Sequence, residues 1–301
     1  MDIFFRVSFL LIAVVLGIML KRQNIIKHAL ADRLLWFIFW VGLPFTIVGS
    51  ILSVPLQGER MILPVIGFAI STGCMLIAFL LSRVLRLPRK LAGVLICASM
   101  IMNTNFTISF IGAWYGQEGV ALFSLFDLGN ILSLFILAYP IALAYGGNKI
   151  SPKQILLRTI TVPTVWAILF ALVLNLQGFQ LPQELRFVTR YGSFTVFLTV
   201  MFTLGLFIQD GLHLSRLLWV GLATRFLLGG FLGYLAIQLF NLEGLTRAVV
   251  LIGAASPNGY TTLVYAKIAK LDHKYAASLV SVSLLIGLVT IPLMLFFFGK
   301  F

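Results

Sequence analysis

Two groups of polar side chains interrupt otherwise apolar stretches of this 301-residue chain. The first group consists of amide and hydroxyl side chains: Asn103, Asn105, Thr107 and Ser109. The second group combines polar side chains with two helix breakers: Pro257, Asn258, Gly259 and Thr261. Such residues are suited to holding a ligand by hydrogen bonds, with an open backbone available beside them. They predict a binding site and carry no recognisable catalytic set.

The second group lies in the middle of an apolar segment, residues 245–268, which is long enough to cross a bilayer. Proline removes a backbone donor and clashes with the preceding helical turn. A break in hydrocarbon leaves backbone groups unpaired unless they face protein or a water-filled cavity. Transporters place such breaks at their substrate sites near the bilayer midplane. Residues 91–114 form a counterpart in the first half, around Asn103 and Asn105.

The two polar groups also have a simpler interpretation, because polar side chains can hold membrane helices together without binding anything. One such group would be weak evidence for a site. Two groups in corresponding segments of the two halves favour a substrate site between them. The N-termini of the half-helices at the breaks would carry partial positive charge, which favours an anion.

Asp127 lies eight residues inside an apolar segment that starts at Gly119, which corresponds to about 12 Å of helix. An ionisable group at such depth is costly and is by default a functional candidate. We expect it to carry a proton, and the Asp127→Asn variant to lose proton-coupled transport while still folding. The alternative is a structural acid that is hydrogen-bonded to a neighbouring helix.

Arg225 is the second charge deep in an apolar segment, about 16 Å along a helix that starts at Leu214. Its guanidinium could bind a substrate carboxylate through two hydrogen bonds. Alternatively, it pairs with Asp127 or with helix carbonyls, or extends toward a membrane interface. We treat Asp127 and Arg225 as candidates for charge coupling rather than as the primary binding residues.

Composition places the chain in a membrane, since 60% of its residues are hydrophobic and 10% are charged, against about 25% charged in soluble domains. The net charge of +13 comes from basic residues in alternate short loops, which excludes nucleic acid as the partner. The two cysteines and three histidines show no metal-binding or disulfide spacing. Nucleotide-binding and hydrolase motifs are absent as well. We therefore expect no enzyme, no metal and no cofactor.

A membrane-spanning helix needs about 20 apolar residues, and the sequence predicts ten of them in one polytopic domain, residues 1–301. They cover residues 3–20, 34–53, 61–82, 91–114, 119–145, 155–176, 187–208, 214–240, 245–268 and 274–298. The first is an uncleaved helix, because Lys21 and Arg22 follow it without a cleavage site. Gly229, Gly230 and Gly233 form a small-residue face that is typical of helix packing.

The loops orient these spans in the cytoplasmic (inner) membrane. Fifteen lysines and arginines lie on one side and six on the other, so both termini are predicted to be non-cytoplasmic. Five spans per half require the second half to enter the membrane from the opposite side. The expected architecture is therefore an inverted repeat, residues 1–147 and 148–301, in which the interrupted fourth and ninth spans correspond.

The chain resembles a known family, the auxin efflux carriers, whose bacterial members are relatives of the plant PIN auxin exporters. This family belongs to the bile acid/sodium symporter-like superfamily. The resemblance covers the whole chain in length and span count. It is carried by short motifs in a characteristic order: Gly42-Leu-Pro44, Asn103-Thr-Asn105, Trp114-Tyr-Gly-Gln-Glu-Gly119, Phe126-Asp127, Ala254-Ala-Ser-Pro257 and Tyr265-Ala-Lys-Ile-Ala-Lys-Leu-Asp272.

The resemblance implies an all-α integral membrane fold of ten helices in two inverted five-helix repeats. It also implies a scaffold beside a transport bundle built on broken, crossing fourth and ninth helices. Asn105 would match the family's first-half asparagine and Pro257 its crossover proline. The family often has Gly and Pro shortly after that asparagine, where this chain has Thr107 and Ser109, so the first break is less strongly predicted than the second.

The function implied by the resemblance is secondary transport, usually export, of a small organic anion such as an indole-type auxin or a dicarboxylate. We expect the substrate to contact the two polar groups listed here: Asn103, Asn105, Thr107, Ser109, Pro257, Asn258 and Thr261. No acid lies in either group to anchor sodium, which favours protons or uniport. A homodimer is compatible with a hydrophobic scaffold. The alternatives are a passive anion channel and a membrane ligand sensor without flux.

Overall fold

The structure of the chain, a computed structural model, describes residues 3–23, 25, 28–53, 58–147, 153, 161, 163–208 and 215–298. The regular elements in these ranges are helices. The predicted boundary between the halves is the loop from Gly146 to Pro152, of which residues 148–152 lie outside the described residues. Residues 155–160 at the start of the sixth predicted span lie outside them as well. The basic residues Lys149 and Arg158, which contribute to the predicted orientation, also lie outside them.

The α-helices of the first half follow one another with few intervening residues: α1 (Ile3–Arg22), α2 (His28–Phe37), α3 (Leu43–Ile51), α4 (Leu63–Val84), α5 (Arg89–Met100), α6 (Thr104–Ser133) and α7 (Tyr139–Tyr145). Those of the second half are α8 (Pro163–Leu176), α9 (Gln183–Phe207), α10 (Arg216–Ala223), α11 (Gly229–Leu239), α12 (Gly244–Ala254), α13 (Thr261–Ile268) and α14 (His273–Phe298).

Within the described ranges, five helical segments are long and apolar enough to cross a membrane: Arg60–Val84, Thr104–Tyr145, Gln183–Phe207, Arg216–Leu239 and His273–Phe298. Three shorter apolar helices accompany them: Ile38–Ile51, Pro163–Leu176 and Gly244–Ala254. Apolar helices of this length satisfy their own backbone groups, which is what hydrocarbon demands. The all-helical class predicted from composition is therefore confirmed.

The helix is interrupted in both segments that contain the polar groups. α5 ends at Met100 and α6 starts at Thr104, while α12 ends at Ala254 and α13 starts at Thr261. The first break forms without a proline, because Asn103 leaves helical geometry (φ −86°, ψ 78°) and its side chain caps α6 by accepting a hydrogen bond from the Phe106 amide. We call residues 101–103 and 255–260 together the crossover.

One span boundary differs from the prediction. A loop was expected between residues 114 and 119, but the run Thr104–Ser133 consists of two helices that meet directly at a kink. The helix is divided at Gly116 alone, whose backbone has φ 65° and ψ −148°. Only glycine adopts this conformation without strain. A single glycine therefore replaces the expected loop.

Three single π-helical turns interrupt long helical segments: Ile38–Gly42, Leu134–Ala138 and Thr224–Leu228. In a π-helical turn each backbone hydrogen bond spans five residues instead of four, and such turns often occur at functional sites. The turn Thr224–Leu228 carries Arg225 and directs it into the protein interior. Pro44 lies two residues after the π-helical turn Ile38–Gly42, inside the continuous helix Ile38–Ile51.

Glycines allow the long helices to approach closely. A Cβ on Gly67 would lie 2.1 Å from the Phe126 carbonyl oxygen, at the contact between α4 and α6. Gly229 and Gly233 pack α11 against Ala254 in the same way, which agrees with the packing face predicted from the sequence. Gly230 differs, because its nearest neighbour would be 3.8 Å from an added Cβ.

The Gly129→Ala variant is expected to lose stability by about 1–3 kcal/mol, because overpacking forces helices apart. Its Cβ would lie 1.8 Å from the Pro64 carbonyl oxygen and 2.6 Å from the Phe68 amide nitrogen. Thermal unfolding of the purified protein in detergent measures the loss. Gly230→Ala is the matched control and should unfold at or above the wild-type temperature, since alanine favours helix. Equal unfolding temperatures for the two variants would contradict the packing argument.

Candidate functional site at the helix crossover

The two breaks pair with each other through their backbones. The Asn103 amide donates to the Pro257 carbonyl oxygen at 2.8 Å, and the Gly259 amide donates to the Ile101 carbonyl oxygen at 2.8 Å. Met102 and Asn258 thereby form an isolated antiparallel bridge. This pairing satisfies backbone groups that the breaks would otherwise leave unpaired in an apolar setting. Gly259 is required here, since a Cβ would lie 2.5 Å from the Met102 carbonyl oxygen.

A cavity of about 500 Å³ lies against the crossover, within the range of about 300–1,000 Å³ that is typical of ligand sites. Its polar wall comes from the two breaks and from the last third of α6: Asn103, Thr104, Asn105, Asp127, Asn130 and Thr261. The remaining wall is mainly aromatic and apolar: Trp36, Phe39, Trp40, Leu43, Phe135, Phe207 and Tyr260. The cavity thus offers hydrogen-bonding groups together with an apolar surface for the body of a ligand.

The structure separates the candidate residues into two sets. Asn103, Asn105, Asp127 and Thr261 line the cavity. The remaining candidates lie in the packing behind the crossover: Thr107, Ser109, Pro257, Asn258 and Arg225.

The residues behind the crossover hold its parts together. The Thr107 hydroxyl shares a hydrogen bond of 2.7 Å with that of Ser256, and the Asn258 amide group donates to the Ala98 carbonyl oxygen at 2.7 Å. The Ser109 hydroxyl donates to the Asn105 carbonyl oxygen within its own helix, at 2.8 Å. This second set therefore matches the alternative role for polar side chains in membranes, which is to join helices.

Asn103 is buried, with 3% of its surface exposed, and it lines the cavity. Its Oδ1 accepts the hydrogen bond of the Phe106 amide at 3.2 Å, which fixes the orientation of the side-chain amide. Its Nδ2 has no hydrogen-bond partner among the described residues. A buried donor without a partner costs about 1–3 kcal/mol, so the site is prepared for an acceptor group from a ligand or from water.

Asp127 lies in the same wall and is only partly buried, because it borders the cavity. The Asn130 side-chain amide donates to its Oδ1 at 2.9 Å. Asn130 in turn accepts from the Ser71 hydroxyl at 3.4 Å. A chain of polar contacts thus connects α4 with the last third of α6 in the cavity wall.

Thr104 and Asn130 belong to the site but did not appear among the candidates derived from the sequence. Thr104 stands between the two asparagines of the first group, and Asn130 is three residues after Asp127. Residues three apart on a helix lie on the same face, so this spacing was an available signal for Asn130.

Arg225 is completely buried, and its guanidinium group binds three backbone carbonyls around the crossover. Nη1 donates to the Ser99 oxygen at 3.0 Å, Nε donates to the Ser256 oxygen at 2.9 Å, and Nη2 donates to the Ala254 oxygen. These carbonyls belong to the C-terminal ends of α5 and α12 and to the residues just after α12. Of the roles considered for Arg225, the contact with helix carbonyls is the one observed.

The half-helices present ends of opposite partial charge on the two sides of the crossover. Each helix end carries about half an elementary charge, positive at the N-terminus and negative at the C-terminus. The C-terminal ends of α5 and α12 meet the Arg225 cation. The first residues of α6 and α13, Thr104 and Thr261, line the cavity. These two helix ends contribute partial positive charge to the cavity wall, which favours an anionic ligand when Asp127 is protonated.

Apolar helices that break and cross beside a cavity define a class of protein, the polytopic membrane transporters. Comparison with known proteins agrees with this class. A family described as "Membrane transport protein" matches residues 2–295. The chain therefore belongs to this family of membrane transport proteins, the auxin efflux carrier family that its motifs resemble.

Two curated relatives cover almost the whole chain. An uncharacterized transporter of Methanocaldococcus jannaschii is 26% identical over 297 residues, which is 95% of this chain and 96% of the relative. An uncharacterized transporter of Methanothermobacter thermautotrophicus is 26% identical over 292 residues, which is 94% of each chain. Similarity along the full length extends the family assignment to both halves of the chain.

Proposed function

We propose that this protein is a secondary carrier that exports a small organic anion across the cytoplasmic membrane by alternating access at the crossover. The substrate would be an indole-type acid or a dicarboxylate, with its carboxylate at the polar wall and its body against the aromatic wall. The observation that carries the proposal is the unpartnered Nδ2 of Asn103, at the positive end of α6, in the cavity wall.

The proposed architecture is ten spans in two inverted repeats, residues 1–147 and 148–301, with both termini on the non-cytoplasmic side. The antiparallel pairing of Met102 with Asn258 supports it, because a twofold axis in the membrane plane relates the two breaks in opposite directions. In this orientation the cavity extends toward the cytoplasm, since Phe207 in its lining ends α9 next to a loop on the basic side. Such an opening suits the loading of a substrate for export.

Uptake of labelled indole-3-acetate, malonate and malate into proteoliposomes tests the function. Wild type should show saturable uptake of at least one of them. Asn103→Asp should abolish it, because aspartate keeps the helix cap, removes both amide donors and places a negative charge beside the anion. We expect uptake to fall at least tenfold, since a hydrogen bond to a charged group contributes about 1.5–3 kcal/mol.

Asn241→Asp is the matched control, because it makes the same chemical change on an exposed turn between α11 and α12. It should transport like wild type. Wild-type rates in Asn103→Asp would contradict the proposed binding site. Electrical conductance far above carrier turnover would favour a passive channel, and ligand binding without uptake would favour a sensor.

A further inference from the structure

A second, smaller cavity lies far from the crossover, between α1, α3, α6 and α9. It has a volume of about 140 Å³ and is lined in part by Arg6, Arg190, Ser50 and Ser193. Arg190 and Phe207, a residue of the first cavity, are separated by 17 positions in α9, which corresponds to about 25 Å of helix. The two cavities therefore lie at opposite ends of α9.

The lining of this second cavity is cationic. Arg6 is three residues after the start of α1, in its first turn, and Arg190 is seven residues after the start of α9, about two turns into that helix. None of the described residues that line the cavity is acidic. The nearby acid Glu118 pairs with Arg60 at 3.0 Å. The cavity thus holds two positive charges without a carboxylate in its wall.

Two buried hydroxyl groups in the wall also lack partners. Ser50 and Ser193 are 1% and 4% exposed, and neither hydroxyl oxygen has a hydrogen-bond partner among the described residues. Most buried polar groups in proteins are hydrogen-bonded, and exceptions call for a ligand, a water molecule or another explanation. Serine hydroxyls can donate to an anion, so they suit the same ligand as the two arginines.

The size and the floor of the cavity limit what can bind. A volume of about 140 Å³ is similar to that of cavities of about 150 Å³ that accept one benzene-sized molecule. The cavity also borders Phe197, whose ring lies so close to Gly112 that an added Cβ would be 2.1 Å from Cε2. A small carboxylate can enter this space, while the buried Phe197 closes it toward the protein interior.

We propose that this cavity is a second anion site, which binds the carboxylate of a small organic anion through Arg6 and Arg190, with Ser50 and Ser193 as further donors. The role of this second site in transport rests on the proposed function. With the termini on the non-cytoplasmic side, the site lies at the outer mouth of the path, where the anion leaves after the Phe197 contact opens. Binding itself requires only the cavity as described.

Equilibrium binding of labelled malonate to the purified full-length protein in detergent tests the site. Arg6→Gln and Arg190→Gln should each weaken one class of malonate sites about tenfold or more, because a hydrogen bond to a charged group contributes about 1.5–3 kcal/mol. Ser193→Ala should weaken malonate binding less than the arginine variants do. It should not lower the unfolding temperature, since the substitution removes a hydroxyl without a partner. Arg247→Gln is the matched control, an exposed arginine on the same predicted side, and should bind like wild type.

The outcomes separate this site from the one at the crossover. Retention of the arginine-dependent malonate sites in Asn103→Asp would support a second site, even if that variant no longer transports. Wild-type affinity in both arginine variants would overturn the second site, as would the absence of malonate binding by wild type at millimolar concentration. In either of those cases, saturable wild-type uptake in proteoliposomes would leave the proposed transport function intact.

Discussion

Replacing Arg225 with methionine is expected to destabilise the protein more than any substitution in the cavity wall. The side chain donates to three buried carbonyls at the ends of two half-helices. Each buried carbonyl left without its partner costs about 1–3 kcal/mol, so the loss amounts to several kcal/mol. The unfolding temperature of the purified variant in detergent measures this loss, and we expect transport to disappear with it.

The conservative Arg225→Lys variant distinguishes a structural clamp from a substrate-binding residue. Lysine keeps the charge but presents one compact ammonium group in place of a planar fork. If Arg225 is a structural clamp, the lysine variant should unfold at a temperature between those of wild type and Arg225→Met. Its folded molecules should bind the anion with unchanged affinity. A substrate-binding role predicts normal stability with weakened affinity, and that result would contradict the clamp. Arg247→Met, on the exposed surface, is the control for loss of one arginine.

Asp127→Asn is expected to produce the largest functional change with the smallest structural one. Asparagine can still accept the hydrogen bond that Asn130 makes to Asp127, so the variant should fold normally. An ionised Asp127 and an organic anion in one cavity repel each other, and a proton on the carboxyl group removes that repulsion. Wild-type anion affinity should therefore fall as the pH rises and Asp127 loses its proton, whereas the affinity of the variant should stay constant.

Uptake into proteoliposomes with and without an imposed pH gradient measures the coupling. The gradient should accelerate uptake by wild type and have no effect on Asp127→Asn. Asp272→Asn is the matched control, because Asp272 caps α14 by accepting from the Tyr275 amide at 2.8 Å, and asparagine caps helices equally well. An unchanged gradient response in Asp127→Asn would assign this acid a purely structural role.

Much of the site could be predicted from local rules alone. A proline and a glycine two residues apart in an apolar segment favour an interruption, and residues 255–260 are indeed not helical. The first interruption was harder to predict because it contains no proline. Asn103 produces it by capping α6 with its own side chain, which is a local propensity of asparagine.

The roles of individual polar residues could not be predicted in the same way. Asn103 and Asn258 have the same side chain and lie in corresponding breaks, yet Asn103 lines the cavity while Asn258 binds the Ala98 carbonyl behind it. Which face of a break points into a cavity depends on the helices packed around it. That information comes from contacts between distant parts of the chain.

The sequence by itself determined the membrane class, the two polar interruptions and the depth of Asp127 and Arg225, because composition, helix breaking and helical rise are local properties. The tertiary structure decided that the two breaks pair with each other and that Arg225 binds three carbonyls from both half-helices. It also brought Arg6 and Arg190 to one cavity. The pairings of Met102 with Asn258, of Arg225 with Ser99 and of Arg6 with Arg190 join residues more than 100 positions apart. Only packing of the whole chain brings such residues together.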